Sequence, residues 1–152
     1  MIEVEVAAPA WLNALPDAAG IAVEAGGLAA ASDAALAILL TDDEAVAALN
    51  ARFRGRPSAT NVLAFPATAN REAHLGDVAL AFGVCAAEAA AQGKTLADHL
   101  RHLVVHGVLH LIGYDHEEDA AAIRMEARER ALLAALGVAD PYDVGEHVQH
   151  PQ

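Results

Sequence analysis

A histidine-bearing helix and its C-terminal end are predicted by the stretch His106-Gly107-Val108-Leu109-His110-Leu111-Ile112-Gly113-Tyr114-Asp115-His116. His106 and His110 are four residues apart, so on a helix both side chains project from one face. Gly113 can adopt the left-handed conformation that ends a helix, and the reversal it allows would return His116 toward the other two imidazoles. Three imidazoles with an open fourth position form the ligand set of a catalytic zinc. We therefore predict one Zn²⁺ per chain, bound by His106, His110 and His116.

The same histidine spacing occurs in the metzincin proteases, whose pattern is H-E-x-x-H-x-x-G-x-x-H. This chain has Gly107 at the position of the protease glutamate, which acts as the general base. Because glycine cannot accept a proton from water, the spacing predicts a three-histidine metal site with other chemistry, or with a base supplied from elsewhere.

The remaining sequence pattern predicts a single α/β layer structure. Short alternating or apolar runs indicate strands at 2–6, 35–40, 61–65 and 76–82. Helices are predicted at 9–25 with a break at Pro16, from the capping box Thr41-Asp42-Asp43-Glu44 to about residue 53, and at 84–92, 95–113 and 117–136. The last but one of these helices carries the paired histidines, and Thr95 is its expected N-terminal cap.

Length, charge and cysteine content restrict the class of protein. A chain of 152 residues predicts one domain covering 1–152, and the acidic, alternating N-terminus does not resemble a signal peptide. No apolar stretch is long enough to span a membrane. Cys85 is the only cysteine, which excludes an intrachain disulfide and fits a cytoplasmic protein. A net charge of −12 with a single lysine argues against unspecific binding of nucleic acid, so any RNA contact must be local.

A second candidate cluster is Arg52-Phe53-Arg54-Gly55-Arg56. The planar guanidinium suits phosphate oxygens better than an ammonium group does, although a solvated loop would have the same composition. Two further alternatives stay open. Asp115 either orients an imidazole or favours the positive end of the next helix, and His99 and His102 support the site or are plain structural residues.

The chain resembles the YbeY family of bacterial endoribonucleases well beyond the histidine motif. The stretches similar to the family pattern are Leu49-Asn50, Phe53-Arg54-Gly55, Thr60-Asn61-Val62-Leu63-Ala64-Phe65-Pro66, Leu75-Gly76-Asp77-Val78 and Asp140-Pro141-Tyr142. Two positions depart from that pattern, since Ala59 replaces a usual proline and Pro57 a frequent aspartate. The loop at 54–60 is therefore expected to differ in shape.

The resemblance implies a zincin-like α/β domain with a four-stranded, mostly parallel mixed sheet, one reversed edge strand and about five helices. It implies a zinc-dependent endoribonuclease specific for single-stranded RNA, with His106, His110 and His116 as ligands and Arg54 as the catalytic arginine. The implied roles are maturation of the 16S rRNA 3′ end and ribosome quality control. The implied partners are rRNA, the small ribosomal subunit and assembly factors such as the Era GTPase, with no DNA and no membrane.

Two other classes of function stay open on the sequence. A metalloprotease would share the histidines, but the glycine at position 107 argues against it. A non-catalytic ribosome-assembly factor with a structural zinc would account for the acidity of the chain.

Overall fold

The computed structural model of the chain describes residues 1–67, 73–115 and 118–142. These ranges contain four strands and six helices, in the order β1 Ile2–Val6, α1 Pro9–Ala14, α2 Ala18–Ala30, β2 Ala35–Thr41, α3 Asp43–Arg54, β3 Val62–Pro66, β4 His74–Ala81, α4 Phe82–Ala91, α5 Leu96–Leu111 and α6 Asp119–Ala135. Within these ranges no helix is both long enough and apolar enough to cross a membrane.

The strands form one mixed sheet in the order β1-β2-β4-β3. β1, β2 and β4 run parallel, and β3 pairs antiparallel with β4 at one edge. Parallel neighbours need crossover connections, which α1 and α2 provide between β1 and β2. The predicted α/β fold, with a mostly parallel four-stranded sheet and one reversed edge strand, is confirmed.

The two faces of the sheet are covered differently. Alternate residues of a strand point to opposite faces, so Leu36, Ile38 and Leu40 of β2 all reach the large core shared with α2 and α5. On the opposite face a smaller cluster forms around Val46 of α3 and Leu63 of β3. A groove remains open beside α3 on this second face.

The predicted helix at 9–25 is two separate helices, which raises the number from about five to six within the described residues. Leu15 lies between them and is not helical, with φ −147° and ψ 85°. The ring of Pro16 disfavours helical geometry in the residue before it, so the break is complete instead of a kink. The second of these helices then extends to Ala30.

The predicted capping box was wrong by one residue. Thr41 is the last residue of β2 and is buried, while Asp42 caps α3 by accepting a hydrogen bond from the Ala45 backbone N–H at 2.8 Å. Thr41 is held in the sheet because it pairs with β4 and its carbonyl accepts a hydrogen bond from the Trp11 indole at 2.9 Å. The predicted cap of α5 is confirmed, since Thr95 Oγ1 accepts from the Asp98 N–H at 3.1 Å.

Candidate metal centre and its cleft

The predicted histidine pair lies on the last turns of α5. The Nε2 atoms of His106 and His110 are 3.2 Å apart, and the ring centroids are 4.7 Å apart. Two nitrogens bound to one tetrahedral zinc, each at about 2.0–2.1 Å, would be separated by roughly 3.3 Å. The observed spacing of the two Nε2 atoms therefore matches the separation expected for two ligands of one zinc ion.

The third predicted ligand, His116, lies outside the described residues. Across 1–67, 73–115 and 118–142, no group of three histidine, cysteine or carboxylate side chains is close enough to hold a metal ion. The described part of the chain thus brings together two of the three expected ligands, and the role of His116 stays a prediction.

The end of α5 has the geometry that the sequence predicted for Gly113, two residues beyond the last helical residue. Gly113 has φ +108°, its N–H donates to the His110 carbonyl at 3.2 Å, and the Tyr114 N–H donates to the Leu109 carbonyl at 3.0 Å. This pair of bonds is a Schellman motif, which ends a helix by reversing the chain. The reversal begins one turn after His110, as a returning ligand would require.

His106 is oriented by a buried carboxylate that the sequence pattern did not predict. Glu129 of α6 is fully buried, and its Oε2 lies 2.7 Å from Nδ1 of His106. Its Oε1 accepts a hydrogen bond from the hydroxyl of Tyr142, while Nε2 of His102 lies 3.6 Å from Oε2. Burial alone would raise the pKa of Glu129, but interactions with His102, His106 and Tyr142 outweigh it and lower the pKa to about 2.

An ionised Glu129 can only accept hydrogen bonds, so the proton of a neutral His106 lies on Nδ1. The lone pair then lies on Nε2, the atom that faces His110. Burial and the neighbouring Glu129 both raise the pKa of Tyr142, which keeps its hydroxyl protonated and donating. This chain of contacts prepares His106 as a metal ligand, as carboxylates commonly do for zinc-bound histidines.

One signal in the sequence could have revealed Glu129. The other buried residues of α6 are Met125, Leu132 and Leu133, so Glu129 occupies a position in the apolar stripe of that helix. A charged residue in such a stripe needs a buried partner. The carboxylate at Nδ1 of His106 is therefore Glu129. The suggestion that Asp115 orients an imidazole stays a prediction.

His99 is a structural residue, one of the two alternatives left open. Its buried Nε2 lies 2.9 Å from Oε1 of Glu88, and Asn61 donates to the same carboxylate at 3.0 Å. Burial lowers the pKa of His99, although Glu88 partly opposes the shift. This contact joins α4, α5 and the start of β3 behind the cleft.

Arg54 lies across a cleft from the histidines. Its Nη2 donates to the Ala64 carbonyl of β3 at 2.7 Å, which holds the guanidinium beside the edge strand. A cleft of ≈ 310 Å³ is lined by Arg54 and Ala64 on one side and by His106, Gly107 and His110 on the other. Two clusters separated by about fifty residues of sequence thus form one site.

Gly107 explains how closely the two sides of this cleft approach. A Cβ at this position would lie 2.9 Å from Cγ1 of Val78 and 3.3 Å from Cγ2 of Val62. A side chain here would push α5 away from β3 and β4, because contacts that short are repulsive. The protease-type glutamate is absent from the sequence, and placing one here would require Val78 or α5 to shift.

Fold and cleft together define a class of α/β protein whose candidate site lies between a histidine-bearing helix and the reversed edge strand of the sheet. The family model described as "Endoribonuclease YbeY" matches residues 6–137. The chain therefore belongs to the YbeY family, as the resemblance in the sequence predicted.

Individual relatives cover most of the chain. A Paramagnetospirillum magneticum protein named "Endoribonuclease YbeY" is 50% identical, over 93% of this chain and 94% of its own length. A Maricaulis maris protein of the same name is 60% identical, over 70% of this chain and 67% of its own length. The solution structure of TM1509 from Thermotoga maritima aligns with a TM-score of 0.58 at 22% identity, covering 99% of this chain and 100% of that protein, which supports the fold.

Proposed function

We propose that this protein is a zinc-dependent endoribonuclease that cleaves single-stranded RNA during rRNA processing. The observation that carries the proposal is the single cleft shared by Arg54, His106 and His110. Relatives named endoribonuclease at 50–60% identity support the reaction class. The substrate segment proposed is the 3′ end of 16S rRNA, with a further role in ribosome quality control.

The metal is proposed to bind His106, His110 and His116. The 3.2 Å separation of the two described Nε2 atoms supports the first two ligands, and the motif spacing supports the third. When bound, zinc supplies Lewis acidity toward a phosphate oxygen and lowers the pKa of a coordinated water toward ~7. Glu129 keeps the proton of His106 on Nδ1, which leaves Nε2 available as a ligand.

Arg54 is proposed to stabilise the additional negative charge that develops on the phosphate during cleavage. One of its N–H groups is used by the Ala64 carbonyl, which orients the guanidinium plane. A guanidinium has five N–H donors in a fixed fork, so donors remain that can bind two oxygens of one phosphate. Prepositioned donors of this kind lower a barrier because they need no reorganisation during the reaction.

The charge of the chain restricts how RNA reaches this site. A net charge of −12 repels a polyanion at long range, so the substrate contacts must be few and local. We expect the small ribosomal subunit and assembly factors such as the Era GTPase to present the RNA. The cytoplasm is the expected location, because Cys85 is a buried free thiol and RNA processing of this kind occurs there.

The test is cleavage of matched single- and double-stranded RNA by purified protein, with chelator and with zinc added back. We expect single strands to be cut, duplex to resist, chelator to abolish cleavage and zinc to restore it. The Arg54→Lys variant, purified in parallel, controls for contaminating nucleases. Arg128→Lys, at another exposed arginine, is the matched control for that substitution. Equal cutting of duplex, or cutting that survives chelation, would contradict the proposal. Digestion of casein without RNA cleavage would favour the protease alternative.

A further inference from the structure

The segment from Arg52 to Arg56 contains aromatic and cationic groups besides the guanidinium of Arg54. Phe53 is 58% exposed, and its ring lies 5.4 Å from that of Phe65, tilted by 60°. The guanidinium carbon of Arg52 lies 5.1 Å from the centroid of Phe53, and that of Arg54 lies 5.6 Å from the centroid of Phe65. Two aromatic rings and two guanidinium groups therefore form one contiguous cluster on the surface.

This cluster is continuous with the candidate active site. Arg54, Ala64 and Pro66 line both the cleft that contains the histidines and the larger groove beside α3, which has a volume of ≈ 1440 Å³. Phe53 and Phe65 line only the groove. A strand whose phosphate occupied the cleft beside Arg54 would place its neighbouring nucleotide against these two rings.

The charges of the groove decide which part of a nucleotide it can accept. Glu3, Glu5 and Asp77 also line the groove, and Asp77 is the direct cross-strand neighbour of Phe65. Carboxylates repel phosphates, so the groove cannot be a continuous track for an RNA backbone. An uncharged base has a π face that stacks on aromatic rings and on guanidinium planes.

We propose that Arg52, Phe53, Arg54 and Phe65 form a stacking site for one unpaired nucleobase adjacent to the scissile phosphate. The proposal rests on the proposed function and adds a physical reason for single-strand selectivity. Bases in a duplex are already stacked and paired, so none can turn outward onto Phe53 without unpairing. The exposed ring of Phe53 is available to such a base.

The test uses short single-stranded RNA in which an abasic nucleotide is moved through the positions on each side of the cleavage site. With the wild-type enzyme, the abasic nucleotide should raise KM about tenfold at one position, the size expected for loss of one stacked base. Phe53→Leu should raise KM about tenfold on the intact RNA, change kcat far less, and be insensitive to the abasic nucleotide at that position. Phe53→Tyr, which keeps a ring, should behave as wild type.

Ile123→Ala is the matched control, because Ile123 is a large apolar side chain that is 67% exposed on α6, away from the groove. In this variant the dependence of KM on the position of the abasic nucleotide should be the same as in the wild type. A second readout needs no catalysis: Phe53→Trp in metal-free protein should lose fluorescence on adding single-stranded but not duplex RNA, since Trp11 is fully buried and constant.

The outcomes separate the two proposals. If the wild-type enzyme fails to cut RNA, the proposed function is wrong. If it cuts RNA and Phe53→Leu shows the wild-type abasic profile, only the stacking site is wrong. Unchanged RNA kinetics in Phe53→Leu, together with weaker binding to ribosomal subunits, would assign the groove to a protein partner and would equally overturn the stacking site.

Discussion

The cleft lies between two walls that differ in burial: an α5 wall with His106 and His110, and an α3 wall with Arg54. The α5 wall is a buried network, in which Glu129 is fully buried and is bonded to both His106 and Tyr142. The α3 wall is a surface feature, in which Arg54 is exposed and is held by one hydrogen bond to the Ala64 carbonyl. The α5 wall fixes the orientation of the His106 ring and the position of its proton. The α3 wall presents the positive charge of Arg54 to an incoming substrate.

The difference predicts how each wall responds to substitution. A buried polar network couples function to stability, because removing one member leaves its partners unpaired in a low dielectric. An exposed arginine carries little folding energy, so its loss changes the reaction and leaves the fold intact. Variants on the α5 wall should therefore lose metal and stability together, and variants on the α3 wall should lose activity alone.

The largest effect is expected for His110→Ala. Removing one of three imidazole ligands should reduce bound zinc from about one ion per chain to near zero and reduce RNA cleavage to background, because an open site needs all three protein ligands. Metal analysis of the purified variant measures this, with His74→Ala on β4 as a control that keeps its metal. Wild-type zinc content in His110→Ala would refute the ligand assignment.

The variant that tests the buried wall directly is Glu129→Ala. Removing the buried carboxylate leaves the His106 N–H and the Tyr142 hydroxyl without their acceptor, which should lower the free energy of unfolding by about 3 kcal/mol. Loss of the carboxylate behind His106 should also weaken zinc binding roughly 10–100-fold. Urea denaturation and competitive zinc titration measure the two effects.

Glu126→Ala is the matched control for that variant. Glu126 lies on the same helix, and its side chain is 38% exposed in an ion pair with Arg130 at 3.8 Å. Surface pairs of this kind contribute about 0–1 kcal/mol. Equal losses of stability in Glu126→Ala and Glu129→Ala would remove the distinction between the two walls.

Arg54→Lys tests the exposed wall while keeping its charge. We expect roughly 100-fold lower kcat/KM, because an ammonium cannot reproduce the forked donors that a transition-state phosphate requires. Zinc content and the urea midpoint should match those of the wild type. Retained activity in this variant would make Arg54 a solvated surface residue without a role in the reaction.

A change of pH is expected to have a smaller effect, on the free energy of unfolding. Burial lowers the pKa of His99 below its ordinary value of 6.5, so the unfolded chain binds this proton more readily than the folded protein. Stability from this group is present above pH 6.5 and falls as the pH drops below it. Glu129, with a pKa of about 2 against 4.5 for a free carboxyl, adds a second loss between pH 4.5 and 2.

Urea midpoints of metal-free protein, measured between pH 7.5 and 4, test whether stability falls as the pH drops. The decline between pH 6.5 and 5 should be shallower in His99→Gln than in the wild type. A stability that rises on acidification, or a His99→Gln slope equal to that of the wild type, would contradict the prediction.

The smallest effect is the salt dependence of binding to naked RNA. Few phosphate contacts around Arg52, Arg54, Arg56 and the metal imply a shallow plot of log K against log salt. A slope equivalent to six or more phosphates, at roughly 0.7 per contact for single strands, would reveal a continuous basic track. Such a track would make the α3 wall a general RNA-binding surface instead of a local one.

Local features of this protein follow from the sequence alone. His106 and His110 face the same side because their spacing matches the helix repeat, and Gly113 reverses the chain through a backbone conformation that glycine tolerates. Alternation and apolar runs predict the strands, because these patterns depend only on residues that are close together in the chain. The net charge of −12 likewise follows from composition, and it predicts few phosphate contacts because like charges repel.

Long-range partners were decided only by the tertiary structure. Glu129 meets His106 across 23 residues of sequence because α6 packs beside α5, and Arg54 reaches the cleft because the reversed strand β3 offers it the Ala64 carbonyl. Thr41 belongs to β2 and not to the cap of α3 because pairing with β4 outweighs its capping preference. Each of these outcomes depends on contacts between elements distant in the chain, and the periodicity within an element contains no information about such contacts.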